Sequence, residues 1–232
     1  MADTIQVTLN GKAIEAQPGT TILDLAAQQD ISIPTLCFHK DLSPTGACRM
    51  CVVEVAKSRT LVASCHTPVA PNMVIETHSP KVIRARKMAM ELMMASHPDF
   101  CLICDKANMC EMRALSAELD IGMPRFRALK RYYPVEDNPY VIRDLTKCVL
   151  CYRCIKACKE IKKANLYHMG YRGFHMKVVV DNDIPLEKEL CRDCGICVPH
   201  CPVGALIWRP DRFRASDEAS RMGGCRPLVI RG

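Results

Sequence analysis

A chain of 232 residues with net charge +7, 49% hydrophobic and 25% charged is ordinary globular chemistry, which excludes disorder along its whole length. Sixteen cysteines would suit a short disulfide scaffold, but a chain this long can bury a core without disulfides. The start, Met1 to Gln6, has no basic stretch leading into an apolar run, and no apolar run reaches membrane-spanning length. The expectation is therefore a cytoplasmic protein without a transmembrane segment, its thiols reduced and held for metal. The positive charge leaves nucleic acid, membrane surface and acidic partners open.

Residues 1–78 read as a small mixed sheet with one helix. Ile5, Val7 and Leu9 alternate, Asn10-Gly11 is a hairpin turn, and Ile14 and Ala16 resume the alternation. Thr20 or Thr21 caps a short helix carrying Ile22, Leu25 and Ala26, and 52–55 and 73–75 are strand candidates. In the second segment, 79–140, Ser79 caps a helix with Pro80 at its first position. Its apolar residues are Val82, Ile83, Ala85, Met88, Ala89, Leu92 and Met93, and it stops near His97-Pro98. Its four methionines are read as core packing rather than a cofactor lining. A basic, aromatic stretch at 125–133 follows. The third segment, 141–208, holds two cysteine quartets around a strand-like run at 177–180, and 209–232 is expected to be an extended tail.

The quartets are the internal repeat. Cys148-x2-Cys151-x2-Cys154-x3-Cys158 is answered by Cys191-x2-Cys194-x2-Cys197-x3-Cys201-Pro202. Three thiolates at this spacing can hold three corners of a cubane, and in two-cluster ferredoxins the fourth cysteine of each run ligates the other cluster. On that pattern one [4Fe–4S] cluster takes Cys148, Cys151, Cys154 and Cys201, and the other takes Cys158, Cys191, Cys194 and Cys197. Zinc sites, the alternative, usually draw ligands from two separated pairs. The doubled run resembles the bacterial-type two-cluster ferredoxin fold, with one departure: Lys159, not proline, follows Cys158.

The first group is Cys37-x10-Cys48-x2-Cys51-x13-Cys65, a wider version of the plant-type [2Fe–2S] spacing, for which a zinc knot is the alternative. With its flanks Ile33-Pro34-Thr35-Leu36 and Gly46-Ala47, it resembles the [2Fe–2S] domain that opens the large iron–sulfur subunit of respiratory complex I. Gly46 and Ala47 would let backbone N–H groups approach the sulfides. The middle group has three cysteines, so a cubane there needs a fourth ligand. His97-Pro98-x2-Cys101-x2-Cys104-x5-Cys110 resembles the His/Cys3 [4Fe–4S] motif of the same family, which implies ligation by His97, Cys101, Cys104 and Cys110. His66 and His200 are read as structural or solvent-facing. Cys225 is left over as a free thiol or interface residue.

The order [2Fe–2S], His/Cys3 cubane and two further cubanes looks like the small iron–sulfur subunit of the diaphorase module in NAD(P)-linked, bidirectional or bifurcating hydrogenases. It is similar as well to the N-terminal part of the large iron–sulfur subunit of complex I and to the N-terminal regions of some [FeFe]-hydrogenases and formate dehydrogenases. The resemblance implies an α+β protein: a β-grasp [2Fe–2S] ferredoxin-like domain, a His/Cys3 [4Fe–4S] segment and a bacterial-type 2[4Fe–4S] ferredoxin domain. It implies one [2Fe–2S] and three [4Fe–4S] clusters, relaying single electrons between a flavin/NAD-binding subunit and a catalytic redox subunit such as a hydrogenase or formate dehydrogenase. No G-x-G-x-x-G follows a strand, so no dinucleotide or catalytic site is expected in this chain itself. A free multi-cluster carrier is the alternative function. A nucleic-acid binder has only 125–133 in its support and is set aside. Oxidised clusters of these types carry about −7 in all, so the basic residues read mainly as counter-charge.

Overall fold

In the computed structural model, which describes residues 4–186, 191 and 194–209, the expected hairpin forms from β1 (Ile5–Leu9) and β2 (Lys12–Ala16). The two strands pair antiparallel, Ile5 opposite Ala16 and Leu9 opposite Lys12, and the alternation buries Val7 and Leu9. Thr21 caps α1 (Ile22–Gln28), its hydroxyl accepting the Asp24 N–H at 3.1 Å. β3 (Val52–Val55), β4 (Val62–Ala63) and β5 (Met73–Glu76) complete a five-stranded sheet of order β2-β1-β5-β3-β4. β1 and β5 run parallel and the remaining neighbours antiparallel, which makes it a mixed sheet. Ile22, Leu25 and Ala26 of α1 share one core with Val7, Leu9, Val53 and Ile75. Fully burying a side chain such as Leu25 or Ile75 contributes about 1.5–3 kcal/mol.

Ser79 caps α2 (Pro80–Ser96), accepting the Val82 N–H at 3.3 Å, and His97 closes it. The buried stripe of α2 differs from the expected apolar face. Val82, Arg86, Met90, Glu91 and Ala95 are buried, whereas Ile83, Met88 and Leu92 are exposed. The four-residue spacing of 82, 86 and 90 selects the inward row, and Arg86 fits it because its head donates to the Val52 and Thr77 carbonyls at 2.8 and 2.9 Å. Of the four methionines, Met90 alone is fully buried. α3 (Glu111–Glu118) follows, with Met112 and Leu115 buried.

Two units divide the chain: 1–98 with 111–130, and 99–110 with 131–232, so the segment 79–140 supplies residues to both. In the second unit the elements are β6 (Glu136–Asp137), β7 (Val141–Arg143), α4 (Arg153–Lys156), β8 (His168–Gly170), β9 (Lys177–Val179), α5 (Cys197–His200) and β10 (Leu206–Trp208). They make an antiparallel sheet β10-β7-β6 and the hairpin β8-β9. The 125–133 stretch is used within the units. Arg125 pairs with the buried Glu91 at 2.6 Å, and Arg131 donates to the carbonyls of Met176 and Cys148 at 3.1 and 3.3 Å. The tail beyond residue 209, Cys225 included, lies outside the described residues.

Candidate metal centres

Every described cysteine is a free thiol. In the first unit, the long loop after α1 brings Cys37 and Cys48 together, and Cys51 and Cys65 flank the β3-β4 turn. The backbone ties this pairing down: the Ser64 N–H donates to Cys51 O at 3.1 Å, and the N–H groups of Cys37 and Met50 both reach the Cys48 Sγ at 3.4 Å. The four thiols interact in two hydrogen-bonded pairs. Cys37 is lowered to about 5 by a hydrogen bond from the Cys48 thiol, reinforced by the N–H groups of Cys48, Ala47 and Gly46. Cys51 is lowered to about 6 by the Cys65 thiol. Cys48 and Cys65, the donors, are pushed up correspondingly. Four interacting thiols with backbone N–H groups on the Cys37 and Cys48 sulfurs suit a soft, thiolate-loving metal group. The Gly46-Ala47 backbone turns its N–H groups to the Cys37 sulfur.

His97 caps the C-terminal end of α2, and its Nδ1 donates to Pro98 O at 3.0 Å. That bond fixes the neutral ring's lone pair on Nε2, the tautomer a ligating histidine needs. In the second unit, Cys101 opens a short 3-10 turn (Cys101–Ile103), a second turn (Ala107–Met109) precedes Cys110, and Cys104 lies between them. Cys104 packs on the final loop, where a Cβ added to Gly204 would come 2.7 Å from its Sγ.

Cys148, Cys151, Cys154 and Cys201 line a single cavity in the second unit, with Arg143, Tyr152, Tyr167, Val178 and Leu206 among its walls. Leu150 and Tyr152 hold left-handed backbone at φ +54 and +67, which wraps the loop around the space and costs about 1–3 kcal/mol each. Burial raises all four thiols, Cys148 to about 11. Arg131 and Arg143 pull Cys148 back down, Arg153 does so for Cys151, and Lys106 for Cys201. Dry thiols ringed by cations make an anionic metal group welcome, its binding releasing the protons.

The second quartet starts differently. Pro202 ends α5 at Cys201, but Lys159 lets the chain run from α4 into a π-turn, Ala157–Ile161, that carries Cys158. The Leu166 N–H donates to the Cys158 Sγ at 3.3 Å. Cys197 is raised by burial and by the neighbouring Cys191 and Cys194, against a hydrogen bond from the Tyr167 hydroxyl at 3.9 Å. Gly195, between Cys194 and Cys197, lies beneath the Trp208 ring. His200, buried, donates from Nδ1 to Ile196 O at 2.7 Å, a structural use of the ring. Cysteine spacing pointed to every thiol in these groups. It had no means of pointing to Tyr167, Arg131 or Arg143, which act on the sulfurs of Cys197 and Cys148, or to Trp208, which covers Gly195.

Three family models match. A 2Fe-2S iron-sulfur cluster binding domain covers residues 2–80, an NADH-ubiquinone oxidoreductase-G iron-sulfur binding region covers 86–125, and an NADH-quinone oxidoreductase subunit 3 ferredoxin-like domain covers 138–207. The chain is 37% identical over 209 residues to the NADP-reducing hydrogenase subunit HndD of Solidesulfovibrio fructosivorans, covering 88% of this chain and 36% of that one. It is 35% identical over 216 residues to an NADH-quinone oxidoreductase subunit of Rhizobium meliloti, covering 91% and 25%. The chain thus spans a quarter to about a third of these curated relatives. Among solved structures it is similar to a chain of an NAD+-reducing [NiFe]-hydrogenase in the H2-reduced state, with TM-score 0.75, 27% identity and coverage of 88% and 87%. No helix among the described residues is long and apolar enough to cross a membrane.

Proposed function

We propose that this chain, similar to an NADP-reducing hydrogenase subunit, an NADH-quinone oxidoreductase subunit and a chain of an NAD+-reducing [NiFe]-hydrogenase, relays single electrons within a multisubunit, NAD(P)-linked oxidoreductase. Its partners in this reading are a flavin/NAD-binding subunit that takes hydride from NAD(P)H and a catalytic redox subunit, and the assembly works in the cytoplasm. The relatives are named as subunits, which favours this over a freely diffusing ferredoxin.

Cys37, Cys48, Cys51 and Cys65 hold a [2Fe–2S] cluster. His97, Cys101, Cys104 and Cys110 hold a [4Fe–4S] cluster, a reading supported by the His97 tautomer and the family match over 86–125. Cys148, Cys151, Cys154 and Cys201 hold a second cubane, and Cys158, Cys191, Cys194 and Cys197 a third. When bound, these clusters supply one-electron carriers. The chain's own residues donate N–H groups to the Cys48 and Cys158 sulfurs, and Arg131, Arg143 and Arg153 bring positive charge to the cavity of Cys148 and Cys151.

The observation that carries this reading is the single cavity lined by Cys148, Cys151, Cys154 and Cys201, three from one quartet and one from the other. Anaerobic purification with iron and sulfide determination tests it: about fourteen irons per chain are expected on these stoichiometries. Zinc in place of iron, or a preparation lacking a co-purifying flavoprotein, overturns it. His97→Ala should remove or alter one cubane signal in paramagnetic resonance while leaving the [2Fe–2S] signal intact.

A further inference from the structure

Tyr167 stands between the two cysteine groups of the second unit, and no spacing pattern in the sequence singles it out. It is 2% exposed. Its ring lines the cavity of Cys148, Cys151, Cys154 and Cys201, while its hydroxyl lies 3.9 Å from the Cys197 Sγ of the other group. That sulfur is the hydroxyl's one hydrogen-bond partner among the described residues, and a buried phenol O–H needs a partner. The ring is held from its face by the Arg143 guanidinium, 5.8 Å from its centroid. Arg143 is itself fixed by bonds to Glu136 at 2.6 to 3.0 Å and to Val178 O at 3.4 Å.

From this arrangement we propose that the Tyr167 hydroxyl is a potential-setting donor to Cys197, acting on one cubane of the pair and leaving the other untouched. The inference rests on the ligand sets proposed above. A thiolate bound to iron has no proton of its own, so the direction of the bond is settled: the phenol donates and the sulfur accepts. A donor on sulfur stabilises the more negative, reduced cluster and raises its potential. No sulfur of the Cys148 cavity is a hydrogen-bond partner of that hydroxyl among the described residues. One side chain thereby separates the potentials of two sites whose ligand spacings are otherwise alike.

Tyr167→Phe removes the hydroxyl and keeps the ring, so the experiment is a redox titration of the intact complex followed by paramagnetic resonance. Cys197→Ser and Cys148→Ser identify which cubane signal belongs to which site. In Tyr167→Phe, iron content should be unchanged and the Cys197 signal should move to lower potential. At a fixed poise its reduced-to-oxidised ratio should fall about fivefold, which at 59 mV per decade is about 40 mV. The Cys148 signal should stay in place. An unmoved Cys197 signal, or an equal movement of both, overturns the proposal while leaving the ligand reading standing. If Cys197→Ser alters no cubane signal, the ligand reading falls and the proposal with it. In heavy water, the reduced Cys197 cluster of the unsubstituted protein should also show coupling to an exchangeable proton that is missing in Tyr167→Phe, beyond that of the Leu166 N–H on Cys158. Identical exchangeable-proton coupling in the two proteins overturns the proposal.

Discussion

Gly195 shows how one position can decide whether a site forms. Its φ is +50, and an added Cβ would lie 1.9 Å from the Trp208 ring, an approach no side chain tolerates. Gly195→Ala combines left-handed strain with overpacking, for a cost of about 2–4 kcal/mol. We expect it to lower the cubane signal that Cys197→Ser identifies and to leave the [2Fe–2S] spectrum as it is. Adding Trp208→Leu should restore part of the loss by removing the clash. A second residue-scale prediction concerns Glu91, whose carboxyl is held below its ordinary range by the hydrogen-bonded Arg125 side chain. Its folded pKa lies below its unfolded one, so the unfolded chain binds more protons as acid is added. The stabilisation from this pair is complete above the ordinary glutamate value of about 4.3 and is lost as pH falls through the folded pKa. The urea-midpoint gap between the natural chain and Glu91→Gln should therefore be constant from neutrality down to about pH 4.3 and narrow only below that, as pH falls through the folded pKa; a gap independent of pH across that acid range would contradict the assignment.

At the level of elements, α2 begins with a double use of Ser79. Its hydroxyl accepts the Val82 N–H and donates to the Glu54 carboxylate of β3 at 2.6 Å, tying helix to sheet. Ser79→Ala should cost about 1 kcal/mol, the usual loss for a removed N-cap. Thermal melting should register that loss, and Ser79→Asp should recover less of it than Ser79→Thr, because a carboxylate there faces Glu54. This cap, the Pro80 start and the His97 stop were all legible in the sequence, because each is a local rule that needs no neighbour. The inward face of α2 was not. A count of apolar residues favoured Ile83, Met88 and Leu92, whereas the fold buries Arg86 and Glu91, whose polar heads find partners only in β3, in Thr77 and in Arg125. Likewise the cysteine spacing named the thiols, but the residues that reach them, Tyr167 and Arg143, depend on long-range packing that leaves no period in the chain.

Across the whole molecule, charge and cluster content are a single problem. The chain carries a formal +7 when every cysteine is counted as a neutral thiol. Burial keeps Cys148 and its three cavity partners protonated in the metal-free protein, so that count describes this cavity well near neutral pH. Loading exchanges those protons for metal groups that are anionic overall, about −7 for the four oxidised clusters. The buried Arg86, whose hydrogen-bond partners are the Val52 and Thr77 carbonyls, then gains a counter-charge at the Cys51 sulfur. Removing the clusters should therefore leave more than a colourless protein: it should leave one whose buried Arg86 has lost that counter-charge and whose surface is strongly basic. We expect the chelator-stripped chain to be retained on a cation exchanger at neutral pH at substantially higher salt than the loaded chain, and to melt at lower temperature. Reduction of the loaded chain should move its elution in the opposite direction, since each electron added makes it more negative. Equal retention of the stripped and loaded forms would show that the clusters contribute no net negative charge, and the reading of thirty-two basic residues as their counter-charge would fail with it.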